Sequence, residues 1–138
     1  MTLDLSFFNI GAILVCTLIN MVLGSLWYSP LLFGKTWMKL MDIQAQDISR
    51  NEGNKAMAFA IIPALLNTLI LSMILAFVGA QTIPDALGMS ALLSLGLVGM
   101  SKMNLVIFEN RKLGLVLIHL GYTFVGFLVS GIILVLWR

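Results

Sequence analysis

Apolar residues in this chain gather into four long runs, at about 8–28, 56–79, 86–108 and 113–137. Each meets the roughly 20 residues that a helix needs to cross the hydrocarbon of a bilayer. Between the first two runs the pattern changes. Trp27 and Tyr28 close the first run with aromatics of the kind that sit at headgroup depth. Ser29-Pro30 then ends the helix, because the residue before a proline is pushed out of the α region. Over 31–42, Phe33, Trp37, Leu40 and Met41 recur at spacings of three and four, with Lys35, Lys39 and Asp42 on the other side. That spacing predicts a short amphipathic helix lying in the interface, apolar side in the acyl chains. A gate or a partner-docking surface is the alternative role for the same face. A polar connector follows over 43–55, carrying Asp47, Arg50 and Glu52. The other two turns, 80–85 and 109–112, are short and favour antiparallel neighbours. The predicted fold is all-α: one transmembrane domain, four spans in an antiparallel bundle, and an interfacial amphipathic helix after the first.

Composition agrees. The chain is 60% hydrophobic and 10% charged, against roughly 25% charged in soluble domains. A net charge of +2 lacks the dense basic patch that nucleic acid needs. The single cysteine, Cys16, permits no intrachain disulfide. Met1-Thr2-Leu3-Asp4 lacks a basic leader and the first run is long enough to span, so no cleavable signal is expected. Orientation follows from the cations. Lys35, Lys39, Arg50, Lys55, Arg111 and Lys112 all follow the first or third run, and only Arg138 lies on the opposite side. This predicts a cytoplasmic (inner) membrane protein with cytoplasmic connectors and both termini outside.

Within the spans, small and polar residues form helical stripes, the usual means of helix association in lipid. Asn9, Cys16, Asn20 and Gly24 share one face; Ala56, Ala60, Pro63, Ala64 and Asn67 share another. In the last run His119, Thr123, Gly126 and Ser130 line one side, with Gly114 and Gly121 roughly opposite. Pro63 removes a backbone hydrogen bond inside its run and predicts a kink, either a packing detail or a hinge. At a rise of about 1.5 Å per residue, Asn20, Pro63, Lys102 and His119 all fall roughly 9–12 Å from the cytoplasmic ends of their helices. With Asn67 and Tyr122 they make up a candidate polar intramembrane layer. Lys102 is its most costly member, unless it snorkels to the headgroups.

Several chemistries are excluded. Gly34-Lys35-Thr36 mimics the end of a phosphate-binding loop, but Ser29 stands where its first glycine belongs. No metal site is expected, since His119 is the only histidine and no ligand matches its depth. The spans hold no carboxylate pair, so neither an enzyme nor a cofactor is expected.

Trp27-Tyr28-Ser29-Pro30, Leu32-Phe33-Gly34-Lys35, Trp37 and the later Gly121-Tyr122 pair together resemble the signature of a small bacterial membrane family, Domain of Unknown Function 1761. The resemblance covers essentially the whole chain. It implies the four-helix fold, the membrane location and the interfacial motif of Trp27, Tyr28, Pro30, Phe33, Gly34 and Trp37; it implies no activity. Two function classes stay open. One is an oligomeric transporter or channel for a small solute built on the polar layer, favoured because that layer is costly for a scaffold. The other is a structural module that partners another membrane protein. Beyond the bilayer itself, the expected partner is a second copy of the chain.

Overall fold

The computed structural model describes residues 8–137. Met1-Thr2-Leu3-Asp4 and Arg138, used above for the leader and orientation arguments, lie outside them. The described chain is helical and without strands, and four helices are long and apolar enough to cross a membrane. Helix α1 covers Ile10–Trp27 and opens on an Asn9 cap, whose side chain accepts from the Ala12 N–H. A short α2, Gly34–Met41, follows and stops where Asp42 turns left-handed at φ 55. After a single 3-10 turn at Ala45–Asp47, α3 runs over Arg50–Phe77.

This third helix starts at Arg50, inside the predicted connector. Ser49 and Glu52 cap each other's backbone there and satisfy two of the N–H groups that a helix start leaves open. The same device, Thr82 with Asp85 and with Pro84 in the first turn, starts α4, Ile83–Glu109. Inside α4, Leu92–Gly99 is wound as a π-helix, which the hydrophobic pattern does not encode. Asn110, left-handed at φ 53, ends it, and α5 completes the chain over Leu113–Leu136.

Helix α5 is the centre of the bundle and packs on every other helix; α1 and α4 lie on either side of it. Helix α3 packs mainly on α1 and also on α5. The core sits at the end of the bundle where α1 begins and α5 finishes. Ala12, Ile13 and Cys16 meet Leu71, Leu75, Ala86, Leu134 and Val135 there. The close α4–α5 crossing rests on Gly131, where any side chain would strike Ser90 and Ala86. Asn9 closes this end by donating to the Trp137 carbonyl at 3.1 Å.

Candidate functional site

The opposite end is organised by the turn between α1 and α2. Once Ser29-Pro30 ends α1, the chain doubles back. The Phe33 N–H donates to the Trp27 carbonyl at 3.0 Å and the Gly34 N–H to the Ser29 carbonyl at 2.9 Å. Gly34 has to be glycine, since a Cβ there would collide with the backbone of Tyr28 and Ser29. Trp27 fills the groove that Gly121 leaves on α5, donates to the Ile118 carbonyl at 3.0 Å and stacks on Phe33 with centroids 4.8 Å apart.

This arrangement corrects the prediction for the interfacial helix. The helix covers 34–41, inside the predicted stretch of about 31–42, and Phe33 precedes it. Its apolar face turns onto protein: Trp37 meets Tyr28, and Leu40 sits over Gly114. Lys35 and Lys39 point outward. The physical reason is the pair Gly114 and Gly121, which leaves α5 without side chains where α2 and Trp27 approach. Pro30 lies exposed in the turn. Asp42 and Lys112 add an ion pair at 2.9 Å between α2 and the start of α5, too exposed to contribute much.

From this elbow two hydrogen-bonded groups, joined by a contact between tyrosine rings, run into the bundle. The Tyr28 hydroxyl pairs with His119 Nδ1 at 2.6 Å. The Tyr28 ring lies 5.9 Å from both Trp37 and Tyr122, and Tyr122 donates to the Asn20 carbonyl at 3.1 Å. Asn20 in turn donates from Nδ2 to Ser130 Oγ at 2.8 Å and to the Cys16 carbonyl at 2.9 Å. Two threonine hydroxyls are held by their own helices, Thr68 on α3 by the Ala64 carbonyl and Thr123 on α5 by that of His119.

Three adjoining cavities follow the same course. The largest, about 450 Å³, opens between α1 and the first half of α3, with Trp37 and Ile48 at one end and Tyr122 at the other. Asn20 and Tyr122 also border the second, a cavity of about 40 Å³ where Asn67, Thr68 and Ser130 meet Ala64, Leu71 and Phe127. Asn67, Leu71 and Phe127 are shared with a third of about 160 Å³, which lies against Leu93, Leu97 and Val98 in the π-helical part of α4.

The predicted layer is therefore divided. Asn20, Asn67 and Tyr122 border one small cavity, and His119 joins them through Tyr28. Lys102 borders none of the three cavities; it is half-buried and has no hydrogen-bond or ion-pair partner among the described residues. Pro63 is exposed and marks a change along α3. Nearly every residue from 50 to 67 is exposed, whereas Thr68, Leu71, Ser72 and Leu75 are buried. Sequence reasoning missed Met21, Ser25, Ile48, Gly53 and Met57 as cavity walls. The Ala56–Ala60 stripe was the available signal: it faces the large cavity instead of a helix.

Four apolar helices packed on one another, with a polar network running into them, define a multi-pass helical membrane protein. The chain belongs to the DUF1761 family, described as proteins of unknown function, whose model matches residues 11–135. No curated protein matches it, and no solved structure does.

Proposed function

We propose that this protein binds a small, neutral, amphipathic solute in the cavity between α1 and α3 and passes it along the polar layer. The observation that carries this reading is the succession of three cavities joined through shared residues, from Trp37 at the elbow to the π-helical segment of α4. Their polar walls are amides and hydroxyls, among them Asn20, Asn67, Ser25 and Tyr122, and no charged side chain borders them. A charged solute would meet no counter-charge there, so a neutral one with hydrogen-bonding groups fits best. The protein is a binding and transport protein of the cytoplasmic membrane rather than an enzyme. Its elbow faces the cytoplasm and its termini lie outside, as the basic connectors favour. Reporter domains fused within 43–48 are expected to be active only in the cytoplasm; periplasmic activity there overturns that orientation.

Proteoliposomes challenged with small amides and polyols, followed by osmotic light scattering, test the transport. Uptake faster than in protein-free vesicles, and slowed by Ala60→Leu, is expected. Rates equal to those of empty vesicles for neutral, cationic and anionic solutes alike would overturn it.

One observation favours a second reading, as a module that pairs with another copy or another membrane protein. The first half of α3 is exposed almost throughout, and Asn67 has no hydrogen-bond partner among the described residues. An interhelical bond to a neighbour would satisfy that amide. Crosslinking from Asn67→Cys in native membranes distinguishes the two: a specific adduct favours pairing, and none at any density excludes this face.

A further inference from the structure

We infer that the occupant of the large elbow cavity is a flat, uncharged ring carrying an amide or hydroxyl group, a conclusion that rests on the reading of that cavity as a solute site. Three aromatic side chains meet on its border. Tyr28 and Trp37 stand nearly perpendicular, at 73° and 5.9 Å, and Tyr28 and Tyr122 lie at 59° and the same distance. Rings so placed offer both faces and edges, the two approaches that aromatic pairs prefer.

The other walls select for thinness. Gly24, Ala56 and Ala60 carry no side chain beyond Cβ, so the space between α1 and α3 is a slot. Met21 and Met57 add thioethers, which make favourable contacts with ring edges. A volume of about 450 Å³ lies in the range of sites for small organic ligands.

The polar group of the ligand is placed by elimination. The Tyr28 hydroxyl is engaged with His119 and that of Tyr122 with the Asn20 carbonyl. The Asn20 amide donates to Ser130 and Cys16. Asn67, on the adjoining small cavity, keeps both its donor and its acceptor unused among the described residues. The Trp37 indole N–H and Asn20 Oδ1 on the large cavity also make no hydrogen bond among the described residues, but of the three groups Asn67 alone offers a donor and an acceptor together, so a ring seated against Tyr122 directs its amide or hydroxyl toward Asn67. The cavity recognises the ring, and Asn67 recognises the substituent.

The test uses the full chain in lipid nanodiscs. The probe is 4-nitrobenzamide, which quenches tryptophan emission, and Trp37 borders the cavity. Saturable quenching is expected, reversed by benzamide and at least tenfold less well by cyclohexanecarboxamide, which has the same amide on a puckered ring. Ala60→Leu, which fills the slot, should abolish the quenching at unchanged helical circular dichroism. Asn67→Leu should weaken benzamide at least tenfold. Equal competition by the two carboxamides, with quenching still lost in Ala60→Leu, overturns the ring inference and leaves the solute site standing; an acyl-chain site would give this result. Quenching that does not saturate, or that survives Ala60→Leu, overturns the site itself and the inference with it.

Discussion

At the end of the bundle where α1 starts and α5 finishes, Ala12, Cys16, Leu71, Leu75 and Ala86 are buried to within 1% of completely. At the other end, α1 beyond Asn20 and α3 before Thr68 stand apart around some 450 Å³ of space. Both ends use small residues, but for opposite purposes. At the packed end Gly131 lets α4 and α5 touch; at the open end Ala56 and Ala60 stay exposed on the cavity, although Ser25 reaches Met57 across it at 3.4 Å. Small residues permit close approach of helices in lipid. Whether the approach occurs depends on what else the helix carries, and here α3 changes character between Pro63 and Thr68.

The largest expected effect breaks the packed end. Gly131→Leu should cost about 3 kcal/mol, because the added side chain enters space that Ser90 and Ala86 already occupy. Ala60→Leu, a gain smaller by one carbon at the open end, should cost less than about 0.5 kcal/mol. Reversible unfolding in mixed micelles measures both. Equal costs would mean that the slot is closed in the membrane.

The elbow between these extremes gives the next two effects. Trp27→Ala should cost about 2 kcal/mol, less than the roughly 3–5 of a fully buried tryptophan, since the ring is half-buried. It removes the bond to Ile118, the Phe33 stack and the filling beside Gly121 together. Tyr28→Phe and His119→Leu should show a coupling of about 1 kcal/mol in a double-mutant cycle, the value of one hydrogen bond. A coupling of zero would remove Tyr28–His119 as the strut that holds the cavity wall.

Much of this fold is legible in the residues. Four apolar runs give four helices, and Trp27 through Trp37 marks the elbow. The facing of α2 was not legible, because periodicity identifies an apolar side but not what covers it. Gly114 and Gly121 held that information as absent side chains on a helix far away in sequence. Depth counting placed Asn20 and His119 near each other, and two tyrosines provide the link: Tyr28 bonds His119, Tyr122 bonds the Asn20 carbonyl, and the two rings lie 5.9 Å apart. The same counting put Lys102 at that depth, and its charge lies within electrostatic reach of His119, but it does not border the cavities, because depth says nothing about azimuth. Lys102→Met should accordingly leave benzamide binding unchanged and alter stability by no more than about 1 kcal/mol, since it removes a partnerless charge and keeps the apolar stem. Loss of binding in that variant would return Lys102 to the site.

The smallest effect sharpens the comparison most. Ser90 is fully buried at the packed end, and its hydroxyl has no partner among the described residues. Ser94, one turn on, donates back to the Ser90 carbonyl at 2.7 Å, yet Ser90 makes no such bond to Ala86. An orphaned hydroxyl contributes size but no hydrogen bond, and removing it relieves a desolvation cost. Ser90→Ala should therefore change stability by less than about 0.5 kcal/mol, or raise it. Ser90→Val, by contrast, adds a branch against Gly131 and should cost about 1–3 kcal/mol. If the first variant costs more than the second, the serine is held by a hydrogen bond rather than by fit. The packed end would then depend on polar pairing like the Asn20–Ser130 bond, and the contrast between the two ends would shrink to a difference in volume alone.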